Sequence, residues 1–141
     1  SLLTEIKKTV RYKVPLSLIM IDIDRFKHVN DKHGHQAGDV VLQELAELIT
    51  RNVREQDIVT RWGGEEFMIL SPFNYVKNAA KLSEKLRVKI EGHRFYGVGT
   101  VTCSFGVTQF RDGDTTDSFT SRVDKALYKA KRDGRNRVAT E

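Results

Sequence analysis

The sequence predicts an α/β sandwich: a mixed sheet of about five strands, with one central hairpin and helices outside. Three observations lead there. LSLIMID, residues 16–22, is short and apolar on both faces, as a central strand covered on both sides must be. DIVTRW and EEFMILS, residues 57–62 and 65–71, are strand-like runs separated by two glycines. That is a hairpin signal, because tight hairpin turns need positive φ. Around these runs lie stretches with apolar residues at helical spacing.

The elements follow in order. SLLTEIKKTVRY places Leu3, Ile6 and Val10 on one helical side, and Pro15 ends the pattern. Asp22 stands at the carboxyl end of the first strand. IDRFKHVNDKHG reads as a short helix or turn closed by Gly34. Gly38 and Asp39 lead into DVVLQELAELITRNVR, where Val41, Leu45, Leu48 and Asn52 share a side that Leu42 and Ile49 widen. Asp39 is placed to cap that helix or to carry charge in its first turn. After the hairpin, NYVKNAAKLSEKLRVKIEG is helical with Val76, Ala79, Ala80, Leu86 and Ile90 apolar. GVGTVTCSFGVTQF alternates and is rich in β-branched residues, so it reads as one strand. SFTSRVDKALYKAKRDG is a helix with Val123, Leu127 and Ala130 inward and Gly134 as its cap. NRVAT predicts a final short strand.

The bulk properties bound the function. The chain has 141 residues, enough for one domain (residues 1–141) with its own core. Hydrophobic residues make up 39% and charged residues 30%, a globular balance without low-complexity tracts. The formal net charge of +5 suits an anionic partner, but no basic run is long enough for a nucleic-acid arm. Cys103 is the only cysteine, so no internal disulfide forms, which suits a cytoplasmic setting. No apolar stretch approaches the ~20 residues that span a bilayer, so no membrane contact is expected of this segment.

Several residues could carry chemistry. Asp22, at a strand end, fits either a helix cap or the position where α/β sheets bind ligands. Glu65 and Glu66 repel one another, and on a strand they point to opposite faces, so at most one is expected to share a ligand with Asp22. If the hairpin pairs beside the first strand, two carboxylates meet at one sheet end and raise each other's pKa. A divalent cation relieves that repulsion, and Mg²⁺ takes one or two carboxylates together with phosphate oxygens. Bare backbone at Gly63 and Gly64 leaves room for a bulky anion. Lys27 adds a cation, and Lys131 and Arg135 fit either a helix-dipole role or a phosphate clamp. Asn30 and Asp39 fit either turn formation or reading of a guanine edge. His28, His33 and His35 are irregularly spaced with no cysteine nearby, which argues against zinc.

LSLIMIDIDRFKHVNDKHGHQAGD, RWGGEEF and ALYKAKRDGRN, in that order, closely resemble the GGDEF-domain diguanylate cyclases. The resemblance implies the fold shared by nucleotidyl cyclases and polymerase palms. It implies condensation of two GTP to cyclic di-GMP with release of pyrophosphate, across a homodimer. By resemblance, Asp22, the Ile23 carbonyl and Glu65 bind Mg²⁺, with Mn²⁺ as an alternative. Glu65 is the proposed general base, Glu66 its neighbour, and Lys27 stabilises charge on the phosphates. Asn30 and Asp39 resemble the guanine readers, and His35 a substrate contact. Lys131 and Arg135 resemble the residues that hold the phosphate tail. Arg54 and Asp57 form an RxxD resembling the start of a product-inhibition site, with Lys85 or Arg87 as a second cation. One departure is the start. Family members carry a stretch resembling DxLTGLxNRR before the first helix, so this chain is expected to be a piece of a longer protein, with Arg61 short of its usual acidic partner. The alternative implied is a catalytically idle module that binds GTP or cyclic di-GMP and signals through a partner.

Overall fold

The computed structural model describes residues 1–141. Its elements run α1 (Leu2–Tyr12), β1 (Leu16–Ile23), α2 (Phe26–His33), α3 (His35–Arg51), β2 (Ile58–Arg61), β3 (Glu66–Pro72), α4 (Val76–Glu91), β4 (Cys103–Gln109), α5 (Thr116–Arg132) and β5 (Val138–Thr140). The five strands form one sheet in the order β2-β3-β1-β4-β5. β1 lies antiparallel between β3 and β4, β2 pairs antiparallel with β3, and β5 runs parallel to β4. This is the palm-like mixed sheet that the sequence implies.

The apolar-on-both-faces character of β1 has its reason in two cores. All eight of its residues are buried. Ile19, Ile21 and Ile23 join the larger core with Val41, Leu45 and Ile49 of α3 and Leu86 and Ile90 of α4. The alternate residues Leu16, Leu18 and Met20 join the second core with Ile6 of α1 and Phe119, Val123 and Leu127 of α5. A strand with period-two side chains can serve both only if neither parity is polar. Cys103 belongs to the larger core, and burial pushes its thiol well above the usual range, so it packs rather than reacts.

α5 lies unusually close to the sheet. A Cβ at Gly106 of β4 would meet the Leu127 amide nitrogen and come within 2.6 Å of the Val123 carbonyl oxygen, so only glycine fits. Arg122 ties the same helix to the far end of β4. Its guanidinium donates to the Gln109 carbonyl at 2.8 Å and forks onto Asp114 at 2.9 and 2.6 Å, which holds the Asp114 carboxyl down at about 2.

Four expectations change. Gly63 and Gly64 are not among the left-handed glycines, which are Gly34, Gly97, Gly99, Gly113 and Gly134. The hairpin turns through residues 62–65 without that conformation, so the turn does not explain the glycines. α3 starts at His35 with Gly34 as N-cap, which places Asp39 beyond the first turn, neither cap nor dipole partner. The predicted strand over 97–110 is regular only from Cys103 to Gln109; Phe95 and Gly99 form an isolated bridge ahead of it. In α1, Ile6 and Thr9 are buried while Leu3 and Val10 face out. Helical spacing marked that stripe, but the sheet contacts only its neighbouring side.

Substituting Gly106→Ala is expected to cost about 3 kcal/mol, because backbone rather than a flexible side chain blocks the methyl group. A urea unfolding midpoint that falls at unchanged slope would register it.

Candidate active site

One end of the sheet gathers the candidate residues. β1 finishes there, β3 and β4 begin there, and the loops 24–25, 62–65, 100–102 and 133–137 surround it. Asp22 and Glu66 are direct cross-strand partners in the β1–β3 ladder. Opposite residues of an antiparallel pair project from the same face, so the two carboxylates are neighbours. Glu65 sits one residue earlier, just outside the strand, and feels the Asp22 charge as well. Glu66 is thus the direct cross-strand neighbour of Asp22, while Glu65 lies in the turn just before the strand.

Lys131, near the end of α5, donates to Asp22 Oδ2 in an ion pair. The other carboxylate oxygen, Asp22 Oδ1, is buried without a hydrogen-bond partner. Burial is the largest influence on all three carboxyls and pushes those of Asp22, Glu65 and Glu66 above their usual range. The Asp22 charge raises both glutamates further, and Lys131 pulls all three back. Asp124 of α5 adds to the negative charge around Glu66. An acidic, partly desolvated corner with one orphaned oxygen fits a hard divalent cation. Asp22, Glu65 and the Ile23 carbonyl supply oxygen donors of the right kind. No group of three or more His, Cys, Asp or Glu side chains is arranged to hold a metal ion.

Two cavities flank this corner. An open cleft of about 520 Å³ is lined by Lys27, Asn30, His35, Asp39, Glu65 and Glu66, together with Gly64. It unites seven residues that the sequence singled out. Asn30 packs over the bare Cα of Gly38, where any Cβ would collide with it, and Asn30 Oδ1 is buried without a partner. At Gly64 a Cβ would meet nothing within 4 Å, so the glycine leaves open space beside the glutamates rather than relieving a clash. Arg61 donates to the Gly64 carbonyl at 2.6 Å, so it braces the turn from within and takes a backbone oxygen as its partner.

The second cavity, about 400 Å³, is lined by Arg135 with Arg25, His28, Thr100 and Thr102. Arg25 sits at φ 56° and no side chain caps α2, so the amino end of that helix is open. Open helix N–H groups beside arginines suit an anion. Arg25 had no signal of its own in the sequence, and His28 was weighed only as a zinc ligand. Lys131 lines neither cavity in this arrangement, being held on Asp22.

Arg54 and Asp57 lie apart from this end, in the loop between α3 and β2. Asp57 accepts from the Arg54 amide at 2.9 Å, from Arg54 Nη2 at 2.8 Å and from the Ser71 hydroxyl at 2.7 Å. Arg54 Nη2 also donates to Ser71 and to the Pro72 carbonyl. The RxxD thus staples its loop to the end of β3, with the Asp57 side chain buried and Arg54 partly exposed. Arg87 is bonded to Glu84 and Asn136.

The family described as "Diguanylate cyclase, GGDEF domain" matches residues 1–137. The chain belongs to the GGDEF family. The domain is 46% identical over 122 residues to the diguanylate cyclase DgcM of Escherichia coli K12, an alignment covering 86% of this chain and 30% of that protein. The chain therefore spans about a third of the length of such curated relatives. The GGDEF domain of DgcB from Caulobacter crescentus, solved in complex with c-di-GMP, superposes with a TM-score of 0.94 at 32% identity, covering 99% of this chain and 85% of that one. The active GGEEF domain of a diguanylate cyclase from Vibrio cholerae gives 0.92 at 38% identity, covering 97% of this chain and 89% of that one. No helix of this GGDEF domain is long and apolar enough to cross a membrane.

The raised carboxyls predict a pH-dependent stability. The folded domain holds protons on Glu66 that the unfolded chain has lost, so stability falls as pH rises from the ordinary glutamate value of 4.5. Glu66→Gln is expected to raise the melting temperature at neutral pH, with the gain vanishing below pH 4.5. Equal shifts at pH 4 and pH 7.5 would show that the Glu66 carboxyl is not raised in the folded domain.

Proposed function

We propose that this GGDEF domain is a diguanylate cyclase condensing two GTP molecules to cyclic di-GMP, with release of two pyrophosphates. The observation that carries the reading is the sheet end itself: an orphaned, cross-strand carboxylate corner between a cleft with an unpaired amide and a cavity lined by arginines. The guanine would lie against Asn30 and Asp39. Asp39 accepts from the ring N1–H and the exocyclic amine, and the free Asn30 Oδ1 offers an acceptor beside it. His35 would border the base. The triphosphate would extend towards the open amino end of α2 and Arg135, with Lys27 and Lys131 neutralising charge. Asp22, the Ile23 carbonyl and Glu65 would hold Mg²⁺, which when bound neutralises phosphate charge.

Each 3′-oxygen forms a bond to the α-phosphorus of the other nucleotide, and the bond from that phosphorus to pyrophosphate breaks. Glu65 takes the 3′-hydroxyl proton. Glu65 lines the cleft that holds Asn30 and Asp39, within reach of a nucleotide bound there. Glu66 stays beside it and sustains the negative field opposite Asp22. Lys131 is drawn to Asp22 here; a bound cation would free it for the phosphates. One chain offers one nucleotide site of this kind, so two copies must face one another. The domain would work in the cytoplasm, where GTP is available. Arg54 and Asp57 would form the product-binding site, with Arg54 offering its exposed edge while its Nη2 remains committed to the staple. A test there needs Arg54→Lys rather than alanine, because alanine would also strip Asp57 of its partners.

Incubating the protein with GTP and Mg²⁺, as isolated and as a forced dimer, should yield cyclic di-GMP. A dimeric form that binds GTP and makes none would sink the proposal. Glu65→Gln is expected to lower turnover by ~10² to 10⁴-fold with GTP binding largely retained. Asp39→Ser is expected to relax base choice, read as the ratio of GTP to ATP bound; a variant with unchanged guanine preference would remove Asp39 from that role.

A further inference from the structure

Asp24 is buried, charged and unused by the proposed chemistry. It follows the Asp22 corner by two residues, yet it does not point into the carboxylate cluster. Its Oδ1 accepts from the Ser104 hydroxyl at 2.6 Å, and its Oδ2 accepts from the Thr102 hydroxyl at 2.7 Å and from the backbone N–H of Asn136 at 2.9 Å. Its own amide donates to the Thr102 carbonyl at 2.9 Å. Only 8% of the residue is exposed. A carboxylate saturated in this way is a fixed point in the loop structure.

What it fixes is the turn after α5. Arg135 and Asn136 both have left-handed backbones, at φ 63° and 45°. Consecutive non-glycine residues in that region persist only where surrounding contacts impose it. The Asp24 carboxylate supplies one such contact through the Asn136 amide. α4 supplies the others: Arg87 Nη1 donates to Asn136 Oδ1 at 3.0 Å, and Asn136 Nδ2 donates to Glu91 Oε2 at 2.6 Å. Asn136 is thus gripped on its backbone and on both ends of its amide. Arg135, the residue before it, has no ion pair or hydrogen bond through its own guanidinium, and it lines the 400 Å³ cavity with Arg25 and His28. An uncommitted guanidinium on a rigid turn is a preorganised anion contact.

We infer that Asp24 is a positioning residue for triphosphate binding: through Asn136 it holds the left-handed turn that aims Arg135 at the distal phosphates. The inference rests on the GTP reading of the site. Asp24 touches no substrate in this account, and its effect travels through one hydrogen bond and one turn. Asn136 carries the same role from the α4 side.

The test compares GTP with GMP, which shares the base and sugar but lacks the distal phosphates. Affinities are measured by calorimetry in Mg²⁺ for the whole chain. Asp24→Asn, isosteric but presenting an NH₂ where an oxygen accepts, is expected to lower the preference for GTP over GMP by roughly tenfold, with GMP affinity unchanged. In an Arg135→Ala background the same substitution should add nothing, because the group it aims is gone. Asn136→Gly, which adopts a left-handed φ without strain and keeps its amide, serves if Asp24→Asn does not fold. It should lower the preference severalfold by loosening the turn. An unchanged GTP-to-GMP ratio in folded variants overturns the inference, as does a loss that persists without Arg135. A wild-type chain that binds GTP no better than GMP overturns the GTP reading itself, and this inference with it.

Discussion

The register that sets Asp22 opposite Glu66 is the constraint on which the rest depends. A slip of one residue of β1 against β3 would invert the faces of β1, putting each of its parities into the wrong core. The register cannot relax to separate the two acids without exchanging the β1 side chains of the two cores and breaking their packing. Like charges are therefore held together by apolar packing, and burial deepens the repulsion by removing water. Lys131 offsets part of it from α5, which is itself pinned to β4 by the absence of a side chain at Gly106. The helix that supplies the counter-charge and the strand that creates the need for it are positioned by the same core.

This arrangement explains why the site is a corner rather than a pocket. The cavities to either side share no lining residue, and they differ in character. One carries carboxylates and amide groups suited to a base. The other carries arginines and an uncapped helix suited to phosphates. The acidic corner between them is where charge of both signs must be balanced in any complex with a nucleoside triphosphate.

Much of this was legible in the chain. β1 was visible because a strand serving two cores has no polar parity, and the hairpin because its apolar runs flank two glycines. The clefts were half legible: Lys27, Asn30, His35, Asp39 and Glu65 converge as their motifs imply. What escaped had tertiary causes. Thr9 is buried and Val10 exposed because the sheet, not spacing, chooses the face of α1. Asp24 carried no signal of its own, since its partners Thr102, Ser104 and Asn136 are ~80 to 110 residues away and no local pattern announces them. Of the two reasons for marking Gly63 and Gly64, the left-handed turn does not hold; Gly64 does open onto free space, whereas a Cβ at Gly63 would meet Glu66 Oε2 at 3.3 Å.

The two polar clusters of the domain differ in one physical respect, and that difference argues for where a ligand belongs. Around Arg54, Asp57, Ser71 and Asn74, buried polar groups are matched: Asp57 has four donors, and Asn74 donates to the same Ser71 hydroxyl that donates to Asp57. At the opposite end of β3, the buried side-chain atoms left without a partner are Asp22 Oδ1 and Asn30 Oδ1, one at the carboxylate corner and one in the cleft beside it. An unmatched buried acceptor costs of order 1–3 kcal/mol, a cost that a fold retains only where something else completes the bond. The Asp22 oxygen lies at the acidic corner, and the Asn30 oxygen lies against the bare Cα of Gly38 at the cleft wall. The matched cluster has no such deficit, so whatever binds there must compete with bonds already made.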